Sequence, residues 1–96
     1  MDWRIPSSRA EVLRGKYAIE RETAIKWAGR AIAAWRIYAE RGRSERFINP
    51  NEGLKWRDTA ISYAGEAIEH AAASGDNDLL DEVREAMRRV ARELVD

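Results

Sequence analysis

RETAIKWAGRAI, residues 21–32, returns 36 positions later as RDTAISYAGEAI, residues 57–68. Eight of the twelve positions are identical, and Trp27 is exchanged for another aromatic, Tyr63. Neither copy contains proline. Each places alanine at spacings of four and three: Ala24, Ala28, Ala31, then Ala60, Ala64, Ala67. That spacing draws a stripe along a helix of 3.6 residues per turn. Gly29 and Gly65 sit beside the two stripes. Small side chains let a second backbone come close, near the short end of the roughly 8–10 Å interaxial range. Ala24, Ala28, Gly29, Ala31, Ala60, Ala64, Gly65 and Ala67 are therefore the expected helix-crossing seam. In an antiparallel hairpin, facing residues share one index sum. If Gly29 faces Gly65, the turn centres on residue 47, inside GRSERFIN, residues 42–49, which reads as a loop. The repeat then packs on itself about a local pseudo-twofold axis. The alternative is that each copy faces its counterpart in a second chain.

Working outward, Ser8 with Glu11 forms a capping box, so the first helix is expected over about 9–42. Residues 1–7 are expected to be an extended tail. Gly15 is a candidate kink, and Gly42 is the expected stop, with Arg41 and Arg43 suiting a helix C-terminus. Asn49-Pro50-Asn51-Glu52 starts a helix over about 50–74, with Asn as cap, Pro in the first helical position and Glu reaching back. Gly75 ends it. The third helix is expected over about 79–95, where Leu80, Val83, Met87, Val90 and Leu94 recur every three or four residues. No stretch alternates with period two. The expected fold class is all-α: a single domain over 1–96, built as a three-helix antiparallel bundle around a pseudo-symmetric helical hairpin.

Hydrophobic residues are 45% and charged residues 35% of 96, which is globular composition. There is no cysteine, which removes disulfides, thiolate metal sites and cysteine nucleophiles. No run reaches the roughly 20 apolar residues of a membrane span. The start, MDWRIPSSRAEV, lacks the order of an export signal. A cytoplasmic protein without membrane attachment is expected. The net charge of zero hides a split: residues 1–57 are basic and 58–96 acidic, with no Lys or Arg between Arg57 and Arg84. Such a chain either pairs its own halves or meets a charged partner.

Catalytic chemistry is sparse. The single histidine, His70, stands four residues after Glu66, a spacing at which both side chains could touch one ion. The equivalent positions in the first copy are Arg30 and Ala34, so no symmetric ligand set exists. No phosphate-binding loop or nucleophile elbow is present. No catalytic residue, metal site or cofactor is expected, and the chain is read as non-enzymatic. Ala64-Gly65-x-Ala67-Ile68 looks like the first helix of a tetratricopeptide repeat. However, Arg41 stands where a small residue belongs, and no second helix fits between 33 and 52, so no family is assigned.

Two functional classes follow. The first is a structural or protein-interaction protein, acting as a homo-oligomer in assembly, adaptor or inhibitor work. Trp35, Tyr38, Phe47 and Trp56 are its candidate partner surface, since the apolar run 24–39 exceeds what one small domain covers. The second is nucleic-acid binding. Arg36, Arg41, Arg43, Arg46, Lys55 and Arg57 gather near the turn, interleaved with aromatics that stack bases. Glu40, Glu45 and Glu52 dilute that patch.

Overall fold

The computed structural model describes the backbone of residues 4–95 and the side chains of residues 15–93. The chain is helical almost throughout, and the described residues contain no strand. Helix α1 is Arg4–Ile37, a π-helical turn follows at Tyr38–Gly42, and α2 is Arg43–Ile48. Helix α3 is Pro50–Ala73 and α4 is Asn77–Val95.

The first helix departs from expectation at both ends. It is already helical at Arg4, so the extended tail over 1–7 does not hold for residues 4–7, and residues 1–3 lie outside the described part. Pro6 is tolerated because the first-turn N–H groups have no intrahelical partner. The Ser8–Glu11 side chains lie outside those described, and α1 runs unbroken through Gly15. Gly42 does not stop the helix. Its φ of −64° and ψ of −33° are right-handed helical, and the chain continues as α2 where a loop was expected. The Arg43 N–H bonds back to the Tyr38 carbonyl, the five-residue step of a π-turn.

The reversal is confined to one residue. Asn49 is extended, at φ −138° and ψ 90°, because Pro50 forces its predecessor out of the helical region. Pro50 occupies the start of α3, and the Asn49 carbonyl accepts the Gly53 N–H at 2.9 Å. The Asn49 side chain makes no capping bond. The other turn matches the expected chemistry. Gly75 has a φ of 74°, a left-handed conformation natural to glycine. Asp76 then caps α4, its Oδ1 accepting the Leu79 N–H at 3.1 Å.

Gly42 lies against Gly53, Trp27 against Tyr63, and Glu20 against His70. Partners rise along α3 as they fall along α1, so these two helices run in opposite directions. Ala24, Ala31, Ala60, Ala67 and Ala71 have no exposed surface, and Val83 and Met87 from α4 close over Ala24, Ala31, Ala67 and Ala71. A second cluster joins Ala34, Trp35, Tyr38 and Ala60, with Val90 and Ala91 against it. Helix α4 thus spans both clusters along one face of the α1–α3 pair. Leu94 of its apolar stripe lies outside the described side chains.

This alanine core is thin, and the molecule is long. Its extents are 69 × 21 × 13 Å and its radius of gyration 17.8 Å, against about 12–13 Å for a compact chain of this length. The 69 Å axis matches residues 4–48 as one rod at about 1.5 Å per residue. A rod of this kind leaves helix flanks uncovered, which places the candidate site.

Candidate interaction face

The seam residues divide into three groups. Ala24, Ala31, Ala60 and Ala67 are fully buried, and Ala28 and Ala64 are half-buried. Gly29 and Gly65 are exposed, and a Cβ built on either meets nothing within 4 Å. They are not at the α1–α3 crossing. At 100° per residue Gly29 lies about 160° round the helix from Ala31, so the two cannot share a face. The pseudo-twofold instead passes between Trp27 and Tyr63, whose ring centroids are 5.2 Å apart. The Trp27–Tyr63 and Glu20–His70 pairs both have an index sum of 90, where facing Gly29 and Gly65 would require 94, while Gly42 and Gly53 beside the turn sum to 95.

The close glycine contact is elsewhere. A Cβ on Gly42 would stand 2.7 Å from the Gly53 carbonyl oxygen, and one on Gly53 would strike the Arg46 backbone. These two glycines let the π-turn and α2 lie flat on the start of α3.

The proposed aromatic surface is mostly interior. Trp35 and Tyr38 are 5% and 1% exposed, so they fill the space that the alanines leave open, and Trp56 is half-buried against them. Phe47 alone of the four is open, at 79%, beside Ile48. The basic corner is also partly structural. Arg46 Nη1 donates to the Tyr38 hydroxyl at 2.9 Å, and its guanidinium lies over the Phe47 ring. Arg57 Nη2 is 3.6 Å from the Asp58 carboxylate. Arg43 and Arg57 are half-buried, while Arg36, Arg41 and Lys55 are exposed.

His70 is a clasp between helices. Its Nδ1–H donates to Glu20 Oε2 at 2.6 Å, and its Nε2 is 3.6 Å from Glu66 Oε2. Among the described residues no group of three or more His, Asp or Glu side chains is placed to hold a metal ion.

The face that the sequence reading missed lies between α3 and α4. Ile61, Ala64, Gly65 and Ile68 of α3 face Arg84, Met87, Arg88 and Ala91 of α4 across an open groove of about 440 Å³ floored by Trp35. Ile61 is 54% exposed at its edge. The signal was in the repeat. Isoleucine four residues before glycine recurs as Ile25–Gly29 and Ile61–Gly65, about 100–160° from the buried Ala24, Ala31, Ala60 and Ala67. Ile25 is likewise exposed, at 61%.

No protein-family model matches the chain, and no curated protein or solved structure matches it. Among the described residues no helix is long and apolar enough to cross a membrane.

Proposed function

We propose that this chain is a non-enzymatic helical interaction protein, which docks protein partners, its own copies included, through the face of α3 and α4. The open apolar groove with Ile61 at its edge carries the reading. Apolar surface clustered in a groove and rimmed by charge marks interaction sites in otherwise polar proteins. Assembly, adaptor and inhibitor roles all use such a face. A cytoplasmic setting is part of the proposal, and no cofactor is.

Nucleic-acid binding is the second reading. It is favoured by exposed Phe47 beside Arg46, with Arg41 and Lys55 exposed in the same region. It ranks lower because Arg46 is held by Tyr38, and Glu40, Glu45 and Glu52 are exposed nearby. Affinity capture from the native cell extract with wild type and Ile61→Glu, beside a salt-dependent gel shift on generic DNA and RNA, tests both. The interaction reading expects Ile61-dependent capture and no shift. A low-salt shift abolished by Phe47→Ala with Lys55→Ala, and capture indifferent to Ile61, would overturn it.

A further inference from the structure

We infer, resting on the interaction reading above, that the α3–α4 face is a twofold homodimer interface in which α3 of one copy crosses α3 of a second copy at Gly65. Nothing lies within 4 Å of a Cβ built there, so a second backbone can approach closely. Ile61, Gly65 and Ile68 lie within about 60° of one another on the helix. In a parallel crossing at Gly65, with the twofold axis running along the helices, Ile61 and Ile68 of one copy meet Ile61 and Ile68 of the other. A twofold axis makes one patch meet itself, so the same three residues build both halves.

Charge selects a second copy as the occupant. Arg84 and Arg88 line the α4 rim, both exposed, and neither has an ion pair among the described residues. Asp58 and Glu69 are exposed on the far side of the Ile61–Gly65 ridge, turned away from their own α4. Asp58 has only the exposed 3.6 Å contact with Arg57, and Glu69 has no ion pair among the described residues. The twofold brings each α4 against the far side of the other copy's α3. Arg84 and Arg88 of one copy then meet Asp58 and Glu69 of the other, twice over.

The first repeat is the internal comparison. Ile25 and Gly29 present the same shape on α1, but the positions equivalent to Asp58 and Glu69 are Glu22 and Ala33, flanked by exposed Lys26 and Arg36. An α1 ridge entering the groove would set like charges on the two arginines, which is unfavourable at a rim.

Light scattering on the full chain from about 1 to about 100 µM, the range that brackets ordinary interface affinities, reads the outcome. The expected mass is twice 11.0 kDa. Arg84→Glu with Arg88→Glu is expected to weaken the dimer at least about tenfold, as is Asp58→Arg with Glu69→Arg, without loss of helicity. Mixing the two double variants is expected to restore dimer, because each then carries the other's complement. A monomer at the highest concentration, or a dimer indifferent to both reversals, overturns the inference. Ile61-dependent capture of another protein by a monomeric wild type overturns the dimer alone and leaves the interaction reading standing.

Discussion

Trp27 and Tyr63 hold the same position in the two copies of the repeat and pack on each other, their rings 5.2 Å apart and tilted by 48°. Equivalent residues touch only where a local twofold axis passes between them. The hairpin is therefore organised about an aromatic pair, with Arg30 over the Trp27 ring at 4.8 Å. A double-mutant cycle of Trp27→Ala and Tyr63→Ala, read by urea unfolding, should give a coupling of about 0.5–1.5 kcal/mol. Additive effects would remove the pair from the axis.

Four of the helical glycines, Gly29, Gly42, Gly53 and Gly65, should separate into two kinds. Gly53→Ala places its Cβ 2.5 Å from the Arg46 Cα and nearer still to its amide nitrogen, both backbone atoms that cannot turn aside. It should lower stability by about 3 kcal/mol or more. Gly42→Ala, against the Gly53 carbonyl, should cost about 1–3 kcal/mol. Gly29→Ala and Gly65→Ala meet open space within the chain and should each raise the stability of the single chain by about 0.5–1 kcal/mol, read below the concentration at which copies associate. Thermal melts of the four variants check the order.

His70→Ala removes the bond to Glu20 that fastens α1 to α3 at the end far from the α2–α3 corner. Both side chains keep some solvent contact, so the loss should be about 1 kcal/mol. Glu66→Gln should change little, because its 3.6 Å contact is more exposed. Equal losses for the two variants would mean that Glu66 shares the clasp.

Asp76→Ala uncaps α4 and should cost about 1 kcal/mol. Hydrogen exchange should speed up first at the Leu79 amide, whose acceptor is removed.

Much of the architecture was readable, because its cues are local. Pro50 opens α3, Gly75 closes the turn after it, and the three-four spacing of Val83 and Met87 predicts the face that α4 buries. Other features depend on what a residue meets in space. A glycine late in a helix serves equally as a left-handed stop or as a place for close contact, and only the facing Gly53 carbonyl makes Gly42 the latter. Trp35 and Tyr38 looked surplus because the volume beside an alanine seam cannot be judged from one helix. The position of Gly29 and Gly65 was legible, since their angle from the buried alanines follows from helix geometry alone, and it marks the outward face instead of the seam. The groove with Arg84 and Arg88 needed α4 to be placed beside α3 before it existed.

The central claim is that the repeated face packs within one chain and leaves its Ile–Gly edge outward. Isotope-filtered NOE spectroscopy on a mixture of labelled and unlabelled protein tests it most directly. The account predicts a Trp27–Tyr63 ring contact in uniformly labelled protein that vanishes from the filtered, between-chain spectrum. A Trp27–Tyr63 cross-peak between labelled and unlabelled chains would contradict it.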